Sequence, residues 1–445
     1  MTYPEAVGRL LSLRGGEQAG MRPGLERIEA LLGALGHPER RLRIIQVGGT
    51  NGKGSVAVMA ASVLKAAGFR VGLYTSPHLC SFRERIRIDG RAVSREAVVK
   101  GVEELWPLVE RVEPTVFEAV TALALACFAR WEVELAVLEV GMGGRLDATT
   151  VGSPLVSVIS HVDYDHQAFL GWSLEEIARE KAAIIRSGVA VAASQAPVVT
   201  DILCQRAAAV RIPLWIEGRD LFATLCSRDL SGQILSLAGP GWRLDDLFVP
   251  LLGNFQLQNA LLAVAAVKAL AAQGMAEIPA AAIRRGLEGV RWPGRFEVIG
   301  RDPWLVLDGA HNPAGAQALA GSLKDTFGDR PKTLIIGISA DKDRAGILKA
   351  LAPAAARLIL TASANPRATP PEELLALLPP VEVPVEVVPS VAQALALALS
   401  PPVTPIIGVT GSLFTVAEVL AARHGGGDIP CEIERGSDRV ESLFS

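Results

Sequence analysis

Ile44-Ile45-Gln46-Val47-Gly48-Gly49-Thr50-Asn51-Gly52-Lys53-Gly54-Ser55 reads as a β-branched strand, a glycine-rich turn and the opening of a helix whose apolar positions run from Val56 to Ala67. Glycines let backbone N–H groups face an anion, a helix N-terminus adds partial positive charge, and a lysine at Lys53 reaches outer phosphates. Thr50, Asn51, Gly52, Lys53, Gly54 and Ser55 are therefore the expected cradle of a nucleoside triphosphate, ATP, with Lys53 also catalytic. The spacing departs from GxxxxGK[ST], because Gly54 intrudes between Lys53 and Ser55. The bland alternative is a glycine-rich turn without a ligand.

Working outward, short β-branched runs alternate with helical patterns, the signature of βαβ units and a parallel sheet. Candidate strands are Arg43–Val47, Val71–Tyr74, Leu135–Val140, Val156–Ile159 and Val189–Ala193. After Arg295 the rhythm restarts with Trp304–Leu307, Thr333–Ile338, Leu358–Thr361, Val385–Val388 and Ile406–Val409. Pro293 and Gly294 punctuate the join. The expected fold is α/β: a phosphate-loop, parallel-sheet N-terminal domain over 1–292 and a smaller Rossmann-like C-terminal domain over 295–423, then a mobile tail, 424–445. Arg211–Leu251 is expected to be a small β-rich excursion closing the first domain.

Half of the 445 residues are apolar and 20% are charged, ample for two or three globular cores, and the net charge of -3 leaves no basic surplus for nucleic acid. Cys80, Cys127, Cys204, Cys226 and Cys431 never form CxxC and read as reduced, mostly buried thiols. The N-terminus does not read as a secretory signal, and the longest apolar run, Ala119–Ala129, falls short of the roughly 18 residues of a membrane span. A cytoplasmic monomer is expected, with no membrane partner.

Ser76, Glu139 and His166 fall at the carboxyl ends of predicted strands, as the phosphate loop does, and ligands of open parallel sheets gather on that edge. Magnesium takes oxygen ligands and bridges to phosphate, so a hydroxyl and a carboxylate suit it; histidine is a less usual ligand. Ser173-Leu174-Glu175-Glu176 is a capping box opening a helix that is expected to end near Gly188. On it Lys181 falls in the apolar stripe of Leu174, Ile177, Ile184 and Ile185, where a bare ammonium is costly unless it snorkels to a carboxylate such as Glu139.

Gly49-Thr50-Asn51-Gly52-Lys53-Gly54-Ser55 resembles the phosphate loop of the folylpolyglutamate synthases, a branch of the Mur ligase family. Arg22–Ile28, Thr75–Leu79, Glu139–Thr149, Asp165-His166, Glu180-Lys181, Gly253 with Gln256 and Asn259, Pro293–Arg295 and Asp308–Pro313 match that branch in order. The resemblance implies ATP contacts from Asn259, Arg295 and Asp308, and magnesium held by Ser76, Glu139 and His166, the histidine on a second ion. It further implies a carbamylated Lys181 with catalytic weight beside Lys53 and His166, and a folate site at Thr115, Val116, Phe117, Leu146, Asp147 and Ala148. Gly337–Asp343 and Thr410–Ser412 resemble loops near a glutamate site. From the residues alone Arg295 could instead pair with Asp308, Phe117 could be core, and the role of His311 stays open.

Phe255, Thr150 and Phe414 stand where the family often has His, Asn and Tyr. The implied reaction joins L-glutamate to a folate, and to dihydropteroate as well, through an acyl phosphate. The alternatives are another Mur-type amino-acid ligase, which is expected to carry a further domain ahead of the phosphate loop, and a non-catalytic nucleotide-binding protein.

Overall fold

The computed structural model describes residues 1–16 and 22–423, so the expected tail lies outside the described residues. Val, Ile and Leu dominate the central strands because helices cover both faces of a parallel sheet. The first sheet comprises β1 (Arg43–Gly48), β2 (Val71–Tyr74), β3 (Ile86–Ile88), β4 (Arg91–Ala92), β5 (Leu135–Glu139), β6 (Pro154–Ile159), β7 (Val189–Ala192) and β8 (Leu214–Ile216), in the order β4-β3-β2-β5-β1-β6-β7-β8. All neighbours run parallel except β2 with β3 and β3 with β4. In register, Val47 of β1 faces Glu139 of β5 and Gly48 faces Ile159 of β6. The loops leaving these three strands therefore emerge side by side.

The expected β-rich excursion is an antiparallel ribbon of β9 (Phe222–Asp229), β10 (Gly232–Gly239) and β11 (Trp242–Val249). Leu235, Leu237, Leu244 and Leu247 share one apolar cluster with Leu261, Leu262 and Val264 of the helix Asn254–Ala269 and with Val156 and Val189 of the first sheet. Asn254–Gln273 is apolar enough, and at 20 residues long enough, to match a membrane span, but 72% of its apolar window is buried inside the molecule. Its apolarity lies in the mean over the helix, which an unbroken-run criterion overlooks.

The second sheet comprises β12 (Glu297–Ile299), β13 (Trp304–Leu307), β14 (Lys332–Ile336), β15 (Arg357–Leu360), β16 (Val385–Val387) and β17 (Ile406–Thr410), in the order β12-β13-β17-β14-β15-β16. Only β12 with β13 is antiparallel. The short strands β3, β4 and β12 have no sequence-based counterpart, since two or three residues carry no readable period.

Two expectations are corrected. The helix opened by Ser173 spans Leu174–Ala182 and stops well before Gly188, because the Arg145 N–H takes the Glu180 carbonyl (3.1 Å) that the next turn would have used. Cys80 is disulfide-bonded rather than reduced; Cys127 is a buried thiol, Cys204 a half-buried one and Cys226 an exposed one, while Cys431 lies outside the described residues.

Candidate active site

The turn after β1 is shaped by two glycines with positive φ, Gly49 (133°) and Gly52 (87°). A Cβ on Gly49 would meet Ser160 Oγ at 2.0 Å and one on Gly52 would meet Asn259 Oδ1 at 2.3 Å, so neither position accepts a side chain without displacement. Backbone N–H groups of Thr50 and Asn51 donate to the His161 carbonyl (2.7 and 3.2 Å). Thr50 Oγ1 donates to the Asp163 carbonyl (2.9 Å) and accepts from its N–H (3.0 Å). Lys53 folds back to donate from Nζ to the Thr50 carbonyl (3.0 Å); burial lowers its pKa, against the pull of Glu139 and Asp165. At the helix start, Gln256 donates to Ser55 Oγ (3.4 Å) and Asn259 to Gln256 Oε1 (2.9 Å), which brings Asn259 to the loop.

Glu139, at the tip of β5, is buried, and its Oε2 accepts from the Ser76 N–H (3.0 Å). Burial pushes its pKa up, while Lys53 and Arg295 pull it back. His166 adopts a positive φ of 51° just before the one-turn helix Gln167–Leu170. Burial holds its imidazole at about 4, so the ring is neutral at physiological pH. Lys181 is 4% exposed and donates to the Gly49 carbonyl (2.8 Å), not to a carboxylate. Burial first, and Lys53 second, lower its pKa to about 7.

From the second sheet, Lys342 Nζ reaches Asp165 Oδ1 (2.8 Å) and His166 Nε2 (3.3 Å). Asn312 caps the helix Pro313–Phe327, exchanges amide hydrogen bonds with Asn51 (3.0 and 3.1 Å) and donates to Asp165 Oδ2 (3.2 Å). His311 places Nδ1 at 2.9 Å from the Gly309 carbonyl and Nε2 at 3.6 Å from Asp165. Burial raises the Asp165 carboxyl, but His311, His166 and Lys342 together outweigh it and hold the group well below its usual range. Arg295 donates to the Gly294 carbonyl (3.2 Å); the Asp308 carboxylate accepts from the N–H groups of Phe296 and Ala310 (2.8 Å each). The pair interacts through charge, with burial the larger influence on both.

Beside this cluster opens a cleft of about 580 Å³. Its wall includes Ser76, Thr115, Phe117, Leu146, Asp147 and Ala148, with His166, His311 and Lys342 at the second-sheet side. Val116 is 1% exposed and packs into the first-sheet core instead, because it opens the helix on its buried side. Asp147 is tied up internally: Oδ1 accepts from the Thr149 N–H and hydroxyl (2.9 and 2.5 Å) and Oδ2 from the Met142 N–H (3.0 Å). Among the described residues no three His, Cys, Asp or Glu side chains stand close enough to form a metal cage.

The sequence reading assigned Asp165 and Asn312 no role of their own beyond the matched motifs, and placed Lys342 only within a loop resembling those near a glutamate site, although each follows a strand tip, the same signal that singled out Ser76. It also passed over Phe169, 59% exposed on the cleft wall. Of the three departures, Thr150 and Phe414 belong to this region: Thr150 Oγ1 donates to the Gly144 carbonyl (2.7 Å), and Phe414 lines the cleft under the Arg367 guanidinium, 4.7 Å away. Phe255 packs against the second-sheet core.

Residues 47–267 match the family description "Mur ligase middle domain" and residues 294–413 match "Mur ligase, glutamate ligase domain". A folylpolyglutamate synthase of Lacticaseibacillus casei is 38% identical, with 96% of this chain aligned to the whole of that protein. A probable bifunctional folylpolyglutamate synthase/dihydropteroate synthase of Halobacterium salinarum is 39% identical over 94% of this chain, which spans about half (51%) of that longer protein. Mycobacterium tuberculosis folylpolyglutamate synthase complexed with ADP superposes with a TM-score of 0.87 at 35% identity, covering 96% of this chain and 99% of that one. Escherichia coli FolC in complex with DHPP and ADP superposes with a TM-score of 0.86 at 30% identity, covering 95% and 98%.

Proposed function

Because this chain belongs to the Mur ligase family, in the branch of the folylpolyglutamate and dihydrofolate synthases, we propose that it is an ATP-dependent ligase that joins L-glutamate to the carboxylate of a folate, and of dihydropteroate as well. The observation that carries this reading is convergence: Lys53, Ser76 and Glu139 from three strand tips meet Arg295, His311 and Lys342 from the second sheet beside one cleft. A carboxylate is a poor acylating agent, so the γ-phosphoryl group of ATP passes to it first, giving ADP and an acyl phosphate. The glutamate nitrogen then attacks the acyl carbon; the C–N bond forms, the C–O bond to phosphate breaks, and the amine loses its proton. Lys53 and Arg295 neutralise charge on the moving phosphoryl group. Closure between the two sheets keeps water from the intermediate.

The donors beside the loop suit magnesium. Among the described residues Glu139 accepts a hydrogen bond only at Oε2, and Ser76 offers a second hard oxygen. Ser76 and Glu139 would hold one ion and a neutral His166 a second, His166 exchanging its contact with Lys342 to do so. Bound there, magnesium supplies charge neutralisation for the phosphates. Lys181 is the group to be carbamylated: with its pKa near 7 much of the amine is neutral at pH 7, adds its nitrogen to CO2 and releases a proton. Intact mass or crystallography at high bicarbonate tests this, and an unmodified amine in active enzyme rules it out.

Thr115, Phe117, Leu146, Asp147 and Ala148 would face the acceptor's ring system, as cleft-wall residues. The working form is a cytoplasmic monomer with folding units 1–292 and 295–423. ADP release and product mass, with dihydropteroate or tetrahydrofolate as acceptor and glutamate as donor, test the reaction; no acceptor-stimulated ADP release would sink it.

A further inference from the structure

Gln46 sits in β1, two residues before the phosphate loop, 0% exposed and on the same face of the strand as buried Ile44. A primary amide in such surroundings is costly unless its hydrogen bonds are satisfied. Its Nε2 donates to Thr149 Oγ1 (3.2 Å) and Thr150 Oγ1 (2.9 Å), and its Oε1 accepts from Arg186 Nη2 (3.3 Å). Each hydroxyl, having accepted from Gln46, donates onward: Thr149 to Asp147 Oδ1 and Thr150 to the Gly144 carbonyl. Arg186 closes the circuit on the Thr150 carbonyl (3.2 Å).

The far ends of these bonds lie in the segment Gly141–Thr150, whose residues 141–148 line the cleft. One buried side chain thus ties the acceptor wall to the strand that delivers the phosphate loop. We propose that Gln46 is a positioning residue that fixes the acceptor wall, residues 141–150, relative to the nucleotide loop. The proposal deepens the ligase reading and rests on it for its kinetic consequence, though not for its structural one. The Gln46 amide is satisfied at both ends, although Arg186 Nε finds no partner among the described residues, and a satisfied buried amide rigidifies the segments it joins.

Gln46→Met keeps length and bulk while removing both donors and the acceptor. It should raise the acceptor KM about tenfold with the KM for ATP nearly unchanged, the scale of one or two lost hydrogen bonds. Amide hydrogen exchange in residues 141–150 should quicken while that of residues 49–55 holds. Thr150→Val should reproduce both effects and Thr150→Ser, which keeps the hydroxyl, should show neither, which decides the matter if Gln46→Met does not fold. Equal rises in both KM values, or unaltered exchange in residues 141–150, overturn the proposal. If the chain uses no folate-type acceptor at all, the ligase reading falls, and the exchange measurement still decides the positioning role.

Discussion

After β1 and at the tip of β5, Lys53, Thr50 and Glu139 bond within their own sheet: Lys53 to Thr50, Thr50 to Asp163, Glu139 to Ser76. At the tips of β13 and β14 the polar groups bond across the gap: Asn312 to Asn51 and Asp165, Lys342 to Asp165 and His166. The first set of bonds is assembled before any ligand arrives, whereas the Asn312 and Lys342 bonds across the gap are in place only while the two sheets face each other. Substitutions on the first side should therefore strike the chemical step, and those on the second should strike the coupling of substrates.

The largest effect should come from the preassembled side. Lys53→Ala should lower kcat by about 10²–10³-fold or more with both acceptors, measured by ADP release; ligation retained there would remove the phosphate loop from the mechanism. Glu139→Gln separates function from stability. Its carboxyl pKa is raised by burial, so the folded state binds a proton more readily than the unfolded chain, and the ionised group costs stability above the unfolded pKa. The glutamine variant should melt higher at pH 7, lose that advantage below about pH 4.5, and show weak magnesium-dependent turnover. A lower melting temperature at pH 7 would contradict the burial argument.

On the bridging side Lys342→Met should cut kcat/KM by about 30-fold or more, the scale expected when one partner of a buried charge pair is removed, while ADP binding by calorimetry stays near wild type. An equal loss of ADP affinity would erase the contrast between the sides. Lys181 gives a graded test: activity should fall as pH drops through about 7, where the amine protonates, and added bicarbonate should restore part of it. Smallest of all, Phe169→Ala should raise the acceptor KM about threefold through lost apolar contact, with the ATP KM unchanged.

The contrast also explains what could be read without coordinates. Every long parallel strand was legible, because Val and Ile runs bounded by glycine leave few alternatives, and the strand-tip rule singled out Ser76, Glu139 and His166 as candidates. That rule located positions but not directions: Val116 and Phe117 are adjacent in sequence, yet one enters the core and the other the cleft. The partner of Lys181 was illegible because it is a backbone carbonyl, Gly49, which leaves no trace in side-chain patterns. The early helix stop at Ala182 was hidden for the same reason, since the N–H that ends it belongs to Arg145, far away in sequence. Asp165, Lys342 and Asn312 acquire meaning only as a group assembled from three loops.

The helix Asn254–Ala269 carries Gln256 and Asn259 under the phosphate loop and lies beneath the β9–β11 ribbon. Anyone minimising this protein by trimming that outer ribbon would be unroofing a greasy rod roughly 24 Å long. The shortened protein would tend to clump, and its nucleotide pocket would loosen although no residue touching the pocket had been altered.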